Sequence, residues 1–269
     1  MIVKGLLAIV GGFIFIFSPG IPMRLFSRFR PDYNRTYLYW GIGFWIIAFL
    51  ASSFLQSLAR QIVTGGQVSG LPQYRVHEFG ISLAGALLTA ILMQIGMTWM
   101  LRRNMDKDKD LSGNGLALGF GVGMIAQVFT GLVLIGAGIR LVFGNTAEMN
   151  LQEIASQSTI GIFLAVASLI LFRMALLGIS AIQGYLVSRS IHGQKANFWL
   201  AAGLAAGFAW LGLLLQALAG ERNPGQITLG QTSLAGSLVS LSYYLVIFIL
   251  AYRWLSRELE REARMVNKN

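Results

Sequence analysis

Among the polar side chains that fall inside apolar runs of membrane-spanning length are Gln94, Gln127, Gln183 and Arg173. A carboxamide offers two N–H donors and an acceptor oxygen, so it can tie helices together where no water is present. It cannot act as a general acid or base near neutral pH. Hydrogen bonds between helices among the three glutamines, with Ser180 and Thr98 close in sequence, are the expected arrangement. Arg173 is permanently charged, and an arginine at span depth either meets an anion or snorkels to the interface.

The elements that must position these groups follow from composition. Hydrophobic residues make up 55% of the 269, charged residues only 12%, and the mean hydropathy is +0.63. A soluble domain of this size would be far more polar. Searching for uncharged runs of about 20 residues predicts an all-α, polytopic membrane helix bundle. Seven transmembrane helices are expected, at about 3–20, 37–58, 79–101, 115–139, 173–190, 198–219 and 231–253. The apolar run from Ser158 to Val187 is too long for one crossing, since about 30 residues at 1.5 Å each reach about 45 Å. It is therefore divided at Arg173, with 158–172 as an interfacial or re-entrant helix. Residues 1–269 form a single transmembrane domain on this reading, with 254–269 a cytoplasmic helical tail.

Basic residues orient the spans, because Lys and Arg accumulate in cytoplasmic loops. Arg24, Arg28, Arg30 and Arg35 follow the first span, and Arg102, Arg103, Lys107 and Lys109 the third. Arg189 and Lys195 follow the fifth, while Arg253, Arg257, Arg261, Arg264 and Lys268 form the tail. These 15 of the 21 basic residues fall on one side, against Lys4, Arg60, Arg75, Arg140 and Arg222 on the other, which predicts a bacterial cytoplasmic (inner) membrane protein with its N-terminus outside and its C-terminus in the cytoplasm. The net charge of +10 is then a topology signal, and no nucleic-acid partner is expected, because no basic run is interleaved with aromatics.

Residue types that carry catalysis are scarce within the spans. The chain has no cysteine, which excludes disulfides, thiolate metal sites and cysteine nucleophiles. His77 and His192 fall on opposite faces of the predicted topology and cannot share a metal, so no cofactor or metal is expected. The 11 carboxylates all lie in loops or tails, and Asp106, Asp108 and Asp110 alternate with Lys107 and Lys109 as a self-neutralising loop.

Within "LGFGVGMIAQVF" (118–129) and just before it, Gly115, Gly119 and Gly123 recur at four-residue intervals. That spacing places them on one helix face, where a neighbouring backbone can approach closely. The Gly119-Phe120-Gly121 spacing is no dinucleotide loop, since no strand precedes it.

Two segments, "AILMQIGMTWMLRRNMDKDKDLSGNGLALGFGVGMIAQVF" and "LILFRMALLGISAIQGYLVSRSIHGQKANFWLAAGLAAGFAW", carry a family resemblance. Their order of features resembles the YhfC-type glutamic intramembrane proteases, distant relatives of the CAAX-prenyl protease superfamily, over about residues 75 to 215. That family has a Glu-Glu-x-x-x-Arg span end, a Gly-x-Gly-His-Gly-Gly-x-Glu span start and a later Glu-Arg. Here Met93 and Gln94 occupy the paired-Glu positions and Thr98 the Arg position. Val122 stands for the His, Ala126 or Gln127 for the Glu, and Arg173 with Met174 where Glu-Arg would begin. The resemblance implies the fold and argues against the activity, because water activation needs a carboxylate and an oxyanion needs a partner.

The expectation is a non-catalytic integral membrane protein, a structural or accessory subunit of a larger membrane complex, with other membrane protein subunits and membrane lipids as partners. A lipid-binding or small-anion-binding or transport module using Arg173 and the glutamines is the alternative. A protease with a displaced site, with Asp106, Asp108 and Asp110 lining a cleft, is a second one.

Overall fold

With almost no water available to backbone amides in hydrocarbon, an apolar chain must satisfy them internally, and a helix does so within each segment. In the computed structural model, which describes residues 1–29, 34–64, 72–104, 111–144, 158–191, 193–218 and 234–266, every regular element is an α-helix. The helices are α1 (Ile2–Phe17), α2 (Gly20–Phe29), α3 (Thr36–Thr64), α4 (Pro72–Arg103), α5 (Leu111–Val142), α6 (Thr159–Ile191), α7 (Ala196–Leu218) and α8 (Leu234–Val266). Five, namely α3, α4, α5, α6 and α8, are long and apolar enough to cross a membrane. The other two expected spans appear as shorter apolar helices, Ile2–Phe17 and Ala196–Gly212. The chain is a polytopic, all-α membrane protein.

One expectation is overturned. The run divided at Arg173 is a single uninterrupted helix, α6, from Thr159 to Ile191. Bilayer thickness does not stop a helix; a lost N–H or a backbone conformation outside the helical region does. No proline falls between 159 and 191, and the Ser188 and Ser190 hydroxyls near the end of α6 donate to the Tyr185 and Val187 carbonyls of the same helix. A second difference lies after the first span, where α1 ends at Phe17, before Pro19. The arginine-bearing stretch beyond is the short helix α2, with Phe26 buried and Arg24 and Ser27 exposed.

The chain divides into two compact units. The first comprises Met1–Pro31, Gly123–Ile179 and Gly212–Asn269. Its apolar core gathers Ala8 and Phe15 of α1, Leu134 and Leu141 of α5, and Ile162, Ala165, Val166 and Leu169 of α6. Here α1 and α5 meet backbone to backbone: a Cβ on Gly5 would lie 2.7 Å from the Gly138 carbonyl oxygen, and one on Gly12 2.6 Å from that of Gly131. The relation is reciprocal and repeats after seven residues on both helices, as an antiparallel small-residue seam requires. In the same unit α8 runs unbroken into the tail, where Glu258–Arg261 (3.9 Å) and Glu260–Arg264 (3.8 Å) pair one turn apart.

The second unit comprises Asp32–Val122 and Ser180–Leu211. Between α3 and α4 the Thr89 hydroxyl donates to Ser52 Oγ (2.6 Å), which also accepts from Gln56 Nε2 (3.1 Å). On α5, Gly121 faces the Leu38 carbonyl of α3, and Gly41 of α3 faces the Leu118 carbonyl in return. The best-buried span is α5, with 56% of its most apolar stretch enclosed against 11% for α3, so substitutions on α5 meet the most resistance.

Candidate functional site

The three glycines of the sequence motif all face α6. A Cβ on Gly115 would come 2.5 Å from the Gly184 carbonyl oxygen, and one on Gly119 would enter the carbonyl of Ser180. In the first unit, a Cβ on Gly123 would meet Leu177 at 2.7 Å. These positions admit no side chain without moving a backbone, so the face is filled by α6 and offers no room for a ligand.

Around Gln127, in the first unit, the chemistry is cohesive. Its Nε2 donates to the backbone carbonyl of Arg173 at 2.7 Å and contacts Met174 Sδ at 3.9 Å, while its Oε1 accepts from the Ser18 hydroxyl at 3.3 Å. One carboxamide therefore joins α5 to α6 and to the end of α1. The Arg173 guanidinium stacks over the Phe172 ring (5.0 Å), which lies 5.0 Å from Tyr244 of α8. Arg173 Nε is buried without a hydrogen-bond partner, and no described carboxylate pairs with the residue.

In the second unit, the expected bonding of glutamine to glutamine gives way to other partners. Gln183 Nε2 donates to the Ala201 carbonyl of α7 at 3.4 Å. Gln94 is fully buried with neither amide atom bonded, and the buried Thr98 hydroxyl one turn on is likewise unbonded. A backbone carbonyl on any neighbouring helix can accept from an amide, so sequence-distant glutamines need not meet. Of the remaining motif positions, Met93 and Val122 in this unit, and Ala126 in the first, are buried. The Ala126 carbonyl accepts the Thr130 hydroxyl at 2.8 Å.

One cavity, of about 680 Å³, opens in the second unit. Ile95, Thr98, Trp99, Arg102 and Arg103 line it from α4, Ser190 from α6, and Lys195, Phe198 and Trp199 from the start of α7. Local structure explains the meeting of cations. Gly193 at φ +94° turns the chain between α6 and α7, and Lys195 N–H closes on its carbonyl at 3.0 Å. A left-handed turn of this kind suits glycine because it has no Cβ. Arg103 stacks over Trp99 at 5.4 Å. Ser190 Oγ donates to the Val187 carbonyl at 2.7 Å, so its proton is committed.

In the sequence these cations mark topology, and nothing there joins them in one site. The available signal was a Trp beside a basic pair at the end of one span and a Lys with Phe-Trp at the start of another, on the same predicted side. Among the described residues no three His, Asp or Glu side chains are grouped as metal ligands. His192, Asp106, Asp108 and Asp110 lie outside the described residues, as does the His77 side chain. No protein-family model, curated protein or solved structure matches the chain.

Proposed function

We propose that this chain is a non-catalytic integral membrane protein serving as a structural or accessory subunit of a larger membrane complex. Its N-terminus is outside and its C-terminus cytoplasmic in a bacterial inner membrane. The observation that carries the reading is the use of Gln127, which with Ala126 is one of the two positions where the resembling protease family would place its acid. Its nitrogen is committed to α6 and its oxygen to the end of α1. A side chain so engaged holds helices together. The Ser52–Thr89–Gln56 clasp and the Ser168 hydroxyl donating to the Ser237 carbonyl (3.0 Å) serve the same end.

The experiment is quantitative co-purification of a tagged chain in mild detergent. A second polypeptide at fixed whole-number stoichiometry supports the reading. A chain that purifies folded and unaccompanied overturns it.

A second reading, anion binding at Arg173, is favoured by its unbonded, buried Nε and by the lack of a described carboxylate partner. An unpaired cation at span depth attracts an anionic group from lipid or solution. Loss of bound anionic lipid in Arg173→Met, with the fold retained, is the result that supports it.

A further inference from the structure

We propose that the cavity at the basic ends of α4 and α7 is a binding site for the phosphate group of an anionic phospholipid. Arg102, Arg103 and Lys195 hold the phosphate, and the Ile95, Trp99, Phe198 and Trp199 side seats the chain beneath it. The site does not depend on the chain having a protein partner.

Among the described residues, three positive charges and no carboxylate line the cavity. Three cations around one space repel one another unless an anion enters, and a phosphate offers the oxygen acceptors that paired guanidinium forks and an ammonium recognise. Thr98 adds an unusual feature. The residue lines the cavity, and its hydroxyl is buried and bonds to nothing, although a buried hydroxyl normally finds a partner. A phosphate oxygen supplies that acceptor. Arg103 is already positioned by its stacking on Trp99, so less side-chain freedom is lost on binding.

The remaining walls separate a lipid from a free anion. A site for inorganic phosphate would be polar throughout, yet four of the nine lining residues are Ile95, Trp99, Phe198 and Trp199. Three of these are well exposed: Ile95 at 53%, Trp99 at 50% and Trp199 at 66%. The residues run from Ile95 to the end of an apolar span at Arg103, about two and a half turns, and into the first turn of an apolar helix, the zone where a span meets the headgroups. A phosphate on an acyl chain satisfies both halves of the lining.

The test titrates the full-length, detergent-solubilised protein with short-chain phosphatidic acid, short-chain phosphatidylcholine and inorganic phosphate, reading bound mass by native mass spectrometry. The anionic lipid is expected to bind about tenfold more tightly than the zwitterionic one. The R102Q/R103Q double variant should lose that preference, whereas R253Q/R257Q, which removes the same charge from exposed positions on α8, should keep it. Thr98→Val should weaken anionic-lipid binding severalfold without unfolding the chain. Equal affinity for the two lipids, or equal losses in the two double variants, overturns the site. Inorganic phosphate competing as tightly as the lipid overturns the lipid assignment.

Discussion

The Gln127 side chain lies 2.7 Å from the backbone carbonyl of Arg173, donating a hydrogen bond from the middle of α5 to the middle of α6. The carbonyl already belongs to a helix, so the amide uses a lone pair that the ladder leaves free. This joins two spans at a depth where water cannot substitute.

Gln127→Leu is therefore expected to destabilise the folded chain by about 0.5–2 kcal/mol, the range of single hydrogen bonds within membrane bundles. Unfolding in mixed micelles measures this. A double-mutant cycle with Ser18→Ala should show coupling, because both residues share the Gln127 Oε1 contact.

Gly119→Leu should be far more damaging, since its first side-chain carbon would enter the Ser180 carbonyl and force α5 from α6. A loss of about 2 kcal/mol or more, or failure to accumulate in the membrane, is expected from overpacking of this kind. Gly136→Ala is the contrasting case. Nothing lies within 4 Å of its added carbon, and a helical alanine in place of glycine should be neutral or stabilise by up to about 1 kcal/mol. Thermal unfolding of the two variants side by side checks both.

Arg173→Met should leave stability unchanged or raise it by about 1 kcal/mol. The methionine keeps apolar contact with Phe172 and removes a buried N–H that has no partner. Thermal unfolding of the purified variant checks this, and a clear loss of stability would mean that the guanidinium has an ionic partner in the folded chain.

The continuity of α6 is open to direct measurement, because the chain has no native cysteine to interfere with labelling. Spin labels at positions 160 and 176, on either side of Arg173, should lie about 24 Å apart along an unbroken helix. A helix broken at Arg173, with its first half in the interface, would give a markedly shorter distance in a dipolar measurement.

How much of this was legible before folding differs from residue to residue. Gly115, Gly119 and Gly123 announce a packing face because four-residue spacing is a property of one helix alone. Gly5 and Gly12 of α1 and Gly131 and Gly138 of α5 form an equally close seam, yet knowing that it is a seam requires knowing which helices are neighbours. The glutamines show the same limit. That a buried amide needs partners follows from its type, but the partner of Gln127 is a carbonyl, and carbonyls occur at every residue. The division of α6 erred by letting membrane thickness decide where a helix ends, when only backbone chemistry does. The cavity is not legible in the sequence, because α4, α6 and α7 each contribute an ordinary-looking span end and the cluster of charge exists only where those ends meet.

The central claim is that the chain works as a subunit of a larger complex, and the mass of the intact particle, extracted gently from its native membrane, tests it most directly. The account predicts a particle heavier than the 29.4 kDa chain by a whole-number complement of a second polypeptide, reproducible across detergents. A folded particle of one 29.4 kDa chain with only lipid bound would contradict it.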